Sequence, residues 1–90
     1  KPQVSSENIQ ITSFGQQIKV TGSLTNQNSF PLAGVKVMAI FFNSFEKPIG
    51  ASLTEIDNIA PGESQPFSIS HPSLSELKSE ATKIFVFAQK

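Results

Sequence analysis

The longest apolar run of this chain is VKVMAIFF, residues 35–42. Its β-branched and aromatic residues favour a strand over a helix. Alternate residues of a strand point to opposite sides of a sheet. On one side all four residues are apolar: Val35, Val37, Ala39 and Phe41. On the other side only the first is charged: Lys36, Met38, Ile40 and Phe42. The run therefore predicts a central strand that is covered on both sides or nearly so.

The length of 90 residues supports one domain with a small core. Hydrophobic residues make up 38% and charged residues 16%, and the abundance of small polar residues suits a sheet with one wet face. Residues 1–6 have no hydrophobic periodicity and predict a disordered leader. We therefore expect a single domain over residues 7–90.

The charge balance excludes some classes of partner. Seven basic residues, all lysine, balance seven acidic ones, which argues against binding to nucleic acid or to an anionic membrane. No apolar run approaches the roughly 20 residues that span a bilayer, so no membrane insertion by this segment is expected. Cysteine is absent, which excludes disulfides and thiolate chemistry.

The cleanest period-two alternation lies in residues 18–25, IKVTGSLT. Ile18, Val20 and Leu24 fall on the predicted inner side together with Gly22. A glycine at an inward position predicts either a bend or a large neighbour that fills the space.

Further strand signals recur along the chain and are separated by turns, of which Ala60-Pro61-Gly62-Glu63 is the sharpest. Residues 72–81 are the helical candidate, because Ser73 precedes Glu76 by three positions as in a capping box. Together these patterns predict an all-β fold, an immunoglobulin-like antiparallel β-sandwich of about six to seven strands with one short helix near 73–81.

Several segments of this pattern resemble a known family. They are Val20-Thr21-Gly22, Asn26, Phe41-Phe42-Asn43, Pro48-Ile49-Gly50 and the run from Ile59 to Glu63 that leads to Phe67. In this order they resemble the FxLYD domain family over roughly residues 9 to 89. At the naming motif this chain has Ala39, Phe41, Phe42 and Asn43 instead of Phe, Leu, Tyr and Asp. The resemblance implies a sandwich domain without assigned catalytic activity, found mainly in prokaryotic surface, secreted or envelope-associated proteins.

Reactive groups are sparse. His71, the only imidazole, precedes Pro72 in a polar stretch and is expected to be a solvated loop residue rather than part of a Ser-His-acid triad. Glu55, Asp57 and Glu63 could supply a surface calcium site, but they lack calcium-loop spacing, and the simpler interpretation is separate exposed carboxylates. No catalytic residue, cofactor or metal is predicted, and the chain is not expected to be an enzyme.

Four phenylalanines form a candidate partner surface: Phe42, Phe45, Phe85 and Phe87. The alternative is that they fill the second face of a twisted sheet beneath the 72–81 helix. This alternative is the simpler one, because most large aromatic residues of a small domain are buried.

The predicted function is a non-catalytic β-sandwich module, a spacer or protein-interaction domain of a larger extracytoplasmic protein. Its partners would be an unknown protein or neighbouring domains, and it would be a monomer or weak oligomer. The alternative is a carbohydrate- or small-ligand-binding module. Sugar stacking would have to rely on Phe42 or Phe45, because Trp and Tyr are absent.

Overall fold

A computed structural model describes residues 3–89 of the chain. The fold is all β, and its strands are β1 (Val4–Phe14), β2 (Gln17–Asn26), β3 (Leu32–Phe42), β4 (Pro48–Ile59), β5 (Ser64–Pro72) and β6 (Lys83–Gln89). A single 3-10 turn, Ser79–Ala81, precedes β6. The predicted strand-rich sandwich is confirmed.

The strands form two antiparallel sheets of three strands each. The first sheet has the order β1-β2-β5 and the second has the order β4-β3-β6, so β3 is central as predicted. Hairpins join β1 to β2 and β3 to β4, whereas the other connections cross between the sheets. This alternation of strand pairs between two layers is the arrangement of an immunoglobulin-like sandwich.

The core lies between the two sheets. It is built from one side of each central strand and from inward residues of their neighbours: Ile18, Val20, Leu24, Leu32, Val35, Val37, Ala39, Phe41, Ile59, Phe67 and Ile69. The inward residues predicted for β2 and β3 are therefore confirmed, and period-two alternation identified them correctly.

Two neighbouring side chains fill the space beside Gly22, which has no side chain of its own. A Cβ built on Gly22 would lie 2.6 Å from Cδ1 of Ile9 and 2.9 Å from the ring of Phe67. Ile9 reaches this space because the register of β1 shifts between Glu7 and Gln10, where Asn8 has a φ of 56°. The expected large neighbour is thus present.

The first strand begins earlier than expected. Val4 pairs with Asn26, and Ser5 and Ser6 continue the ladder with β2, so residues 4–6 do not belong to a disordered leader. Gln3 is also tied down, since its amide donates to Oδ1 of Asn28 at 3.0 Å. Residues 1 and 2 of the predicted leader lie outside the described residues. The prediction failed here because these bonds connect residues distant in sequence.

Asn26 is fully buried and joins the turns at one end of the sandwich. Its Nδ2 donates to the carbonyl oxygens of Phe30 at 2.9 Å and Ile59 at 3.0 Å. Its Oδ1 accepts from the backbone and side-chain amides of Asn28, both at 2.9 Å. These bonds satisfy the side-chain donors and acceptors that burial removes from water.

The predicted helix near 73–81 is reduced to the 3-10 turn at Ser79–Ala81. Ser73 caps no helix, because the 3-10 turn begins only at Ser79. The amide of Ser73 donates to the carbonyl oxygen of Gln16 at 2.9 Å. Leu77 forms an antiparallel bridge with Asn43, and the amide of Lys78 donates to the Phe42 carbonyl oxygen at 2.9 Å. The segment consists of turns that one bridge and one backbone hydrogen bond tie to the end of β3, so tertiary contacts override its helical pattern. Among the described residues, no helix is long and apolar enough to cross a membrane.

Candidate interaction surface

The outer side of the second sheet carries a continuous set of apolar side chains. Strand register places Leu53 of β4 opposite Met38, which in turn lies opposite Phe85 of β6. We call this set the apolar face, and its members are Met38, Ile40, Phe42, Leu53, Phe85 and Phe87. All six project away from the core, because the residues next to them along the strands, such as Val37, Phe41 and Val86, point inward.

The edges of the apolar face are exposed. The exposed fraction is 57% for Leu53, 52% for Phe87 and 40% for Phe85. Met38, Ile40 and Phe42 lie on the central strand and are half-buried by their neighbours on both sides. Large exposed hydrophobic residues that adjoin one another are typical of contact surfaces, whereas isolated ones are common on any protein.

Charged residues flank the apolar face without interrupting its centre. Lys36 lies opposite Glu55 on β4 and opposite Phe87 on β6. At the other end, Nζ of Lys83 lies 5.4 Å from the centroid of the Phe42 ring, within cation–π range. The surface therefore has a neutral centre and a charged rim, which is the general composition of protein–protein interfaces.

The structure brings three of the four predicted surface residues together. Phe42, Phe85 and Phe87 lie on the apolar face, whereas Phe45 lies beyond the end of β3 in the turn to β4 and is 76% exposed. Asn43 builds this turn, because its Oδ1 accepts from the amides of Phe45 at 2.9 Å and Lys47 at 3.0 Å. The alternative of a covering helix is wrong, since only the 3-10 turn forms in that segment.

Three members of the apolar face were not among the predicted surface residues. Met38 and Ile40 belong to the second side of residues 35–42, and Leu53 is out of phase with Ile56 along β4. That phase difference is the signal that could have identified Leu53. A phase difference of this kind indicates a bulge or an edge position, and β4 is an edge strand with a register shift opposite Phe41 and Phe42.

A cleft of about 520 Å³ lies beside Phe42. Its lining combines an aromatic ring, two carboxylates, a hydroxyl and an ammonium group: Phe42, Glu46, Glu80, Ala81, Thr82 and Lys83. Oγ1 of Thr82 is buried and has no hydrogen-bond partner among the described residues. The volume of the cleft falls within the usual range for small-ligand sites.

His71 is not the solvated loop residue that was expected. It lies on β5, half-buried, and its ring centroid is 5.1 Å from that of Phe41. Its Nδ1 lies 2.6 Å from the Pro72 carbonyl oxygen, which can only accept, so Nδ1 carries the hydrogen. Gly50 leaves room for the imidazole, since a Cβ there would lie 3.2 Å from Nε2. The imidazole thus packs at one end of the core.

The three carboxylates considered for calcium do not converge. Glu55 and Asp57 are exposed on the outer side of β4, and Oε1 of Glu63 accepts from the Ala60 amide at 2.9 Å. This backbone hydrogen bond, together with one from the Gln65 side chain, lowers the pKa of Glu63 below its ordinary value of 4.5. Within residues 3–89 no group of three or more His, Asp or Glu side chains could hold a metal ion.

Comparison with known proteins leaves the geometry as the main source of functional argument. No family model matches the chain. No curated protein matches it either.

Proposed function

We propose that this chain is a non-catalytic β-sandwich module, a spacer or protein-interaction domain of a larger envelope-associated or secreted protein. The observation that carries the proposal is the exposed apolar face on one sheet, with Leu53 and Phe87 each more than half exposed. Such a surface is costly to leave in water and is typical of a site where another protein binds. The resemblance to the FxLYD family implies the same fold and supports an extracytoplasmic location.

The positions of the reactive groups also support a non-catalytic role. The imidazole of His71 is engaged with Phe41 and the Pro72 carbonyl oxygen, and Glu63 is engaged with its own turn. A catalytic site needs a nucleophile, a base and a stabilising group within hydrogen-bond reach of one another. His71 and Glu63 are held by these contacts away from such a set.

Cysteine accessibility tests the contact surface and the compartment together. Leu53→Cys and Ser68→Cys are matched variants: both positions are exposed, and they lie on the outer sides of opposite sheets. The 90 residues contain no native cysteine, so each variant introduces the single thiol of this domain. In intact cells that produce the full protein, a membrane-impermeant maleimide should label Ser68→Cys and leave Leu53→Cys largely unlabelled.

The purified 90-residue chain at low concentration provides the control, because both thiols should react there at similar rates. Equal labelling of the two variants in cells would refute the apolar face as an occupied contact surface. Absence of labelling at Ser68→Cys in cells, with labelling after lysis, would refute the extracytoplasmic location.

A second candidate function is binding of a carbohydrate or small ligand in the cleft beside Phe42. The unpartnered hydroxyl of Thr82 and the carboxylates of Glu46 and Glu80 favour a ligand with several hydrogen-bond donors. A glycan array probed with the wild-type chain and with Phe42→Ala tests it. Binding that is lost in Phe42→Ala but retained in Phe14→Ala, an exposed phenylalanine on the other sheet, would favour this function over the first.

A further inference from the structure

Among residues 3–89, the second sheet ends on one side at β6. Its order is β4-β3-β6, and β6 pairs there with β3 alone. Any strand at a sheet edge presents unpaired amide and carbonyl groups that can pair with another chain.

The direction of those groups follows from β3. The Asn43 amide and carbonyl bond to Lys47 and Glu46 on the β4 side, whereas the Phe42 carbonyl accepts from Lys78 on the opposite side. Backbone groups alternate along a strand, so even-numbered residues of β3 face β6 and bond to residues 83, 85 and 87. Ile84, Val86 and Ala88 therefore direct their amide and carbonyl groups toward the open edge.

The other sheet edges carry features that hinder pairing. β4 and β5 lie beside each other, with Ser52 Oγ donating to the Ser70 carbonyl oxygen at 3.0 Å. β4 begins at Pro48, and β5 contains Pro66 and ends at Pro72. β1 carries a bulge with Asn8 at positive φ. In contrast, residues 84–88 of β6 are IFVFA, without charge, glycine or proline.

The sequence of β6 is nearly symmetric about Val86. An antiparallel partner centred on that residue places Phe85 opposite Phe87 of a second copy, and Ile84 opposite Ala88. Lys83 then faces Gln89 of the second copy, so no like charges meet. Val86 of each copy becomes a hydrogen-bonded pair, which matches the outward direction of its backbone groups.

We infer that β6 is a homodimerisation strand that pairs antiparallel with β6 of a second copy, centred on Val86, and joins two sheets into one. The pairing places the half-buried Ile84 and Val86 beside Ala88 and Val86 of the second copy on the inner side. On the outer side it brings Phe85 and Phe87 of both copies together and makes the two apolar faces continuous. This inference rests on the proposed interaction function and names a second copy as the partner of β6; Leu53 lies on β4, at the opposite edge of the sheet, and is not covered by this pairing.

Sedimentation equilibrium of the wild-type chain, Val86→Pro and Val86→Ala tests the pairing. The wild type should show concentration-dependent association from 9.7 kDa to twice that mass. Val86→Pro removes an outward amide from each copy and should weaken the dimer about thirtyfold or more. Val86→Ala shortens the side chain but keeps the amide, so it should still dimerise. A wild-type monomer at all concentrations, or a dimer unaffected by Val86→Pro, would overturn the inference.

Disulfide formation tests the register without relying on a proline variant that could fail to fold. A mixture of Phe85→Cys and Phe87→Cys places thiols directly opposite each other, with Cα atoms about 4.5 Å apart. Each variant alone places its two Cα atoms beyond the roughly 7 Å that a disulfide can bridge. The mixture should therefore cross-link faster than either variant alone and faster than Phe14→Cys, a collision control that is 87% exposed.

The two proposals fail in distinguishable ways. If the mixture cross-links no faster than its components while Leu53→Cys remains protected in cells, β6 self-pairing is refuted and the face binds a different protein. If the mixture cross-links in purified protein but Leu53→Cys is fully labelled in cells, β6 self-pairing holds and occupancy of the wider face is refuted.

Discussion

The two sheets have similar inner sides and opposite outer sides. The outer side of the first sheet is mostly polar, with Lys19, Thr21, Ser23 and Thr25 on β2 and Ser64, Ser68 and Ser70 beside Pro66 on β5; the exposed Phe14 lies at the end of β1. The outer side of the second sheet is the apolar face. A strand in which apolar and polar residues alternate has one buried side and one side in water, and β2 follows that pattern. β3 and β6 are apolar on both sides. The fold buries the inner side of β3 fully and that of β6 partly, and it leaves the outer sides half-buried or exposed. The excess hydrophobicity of β3 and β6 is therefore information about contacts beyond this fold.

Truncation of phenylalanine on either side of the second sheet should separate core packing from surface chemistry. Phe41 is fully buried and Phe85 is 40% exposed. Phe41→Ala should lower the free energy of unfolding by about 3 to 5 kcal/mol, because it leaves a cavity in the core. Phe85→Ala should lower it by about 1 kcal/mol. Urea denaturation at low protein concentration measures both, and equal losses would contradict the distinction between the two sides.

Enlargement of Gly22 should show that the first sheet is packed as tightly on its inner side as the second. Gly22→Val places a Cβ 2.6 Å from Ile9 Cδ1 and 2.9 Å from the Phe67 ring. Unfolding free energy should fall by about 1 to 3 kcal/mol through overpacking. Gly22→Val combined with Ile9→Ala should recover part of the loss. A neutral Gly22→Val would mean that this part of the core is loosely packed.

The sequence predicted the inner sides of both sheets and left the outer sides open. Alternation identified Val35 and Val20 as core, because sequence period and strand geometry coincide. The helix prediction failed at residues 73–81, where the pairing of Leu77 with Asn43 overrides the capping-box pattern. The loop prediction also failed for His71, whose contact with Phe41 joins residues distant in sequence. Local patterns carry no information on such long-range contacts.

Lowering the pH should destabilise the β4–β5 turn, which joins the two sheets, without changing the outer side of either sheet. Glu63 accepts the Ala60 amide in the β4–β5 turn, and its pKa is lowered from 4.5 in the folded state. Its contribution to stability is fully present above about pH 4.5 and is lost as pH falls through the lower folded value. Thermal melts of wild type and Glu63→Gln should therefore differ less at pH 3 than at pH 7. A difference that grows on acidification would contradict this assignment.

The most direct test of the asymmetry between the sheets is amide hydrogen exchange at low and high protein concentration. If β6 pairs with β6 of a second copy, the amides of Ile84, Val86 and Ala88 should gain protection as concentration rises, while those on the outer edge of β1 remain unchanged. Equal exchange of the β6 amides at both concentrations, or concentration-dependent protection confined to the first sheet, would contradict the account.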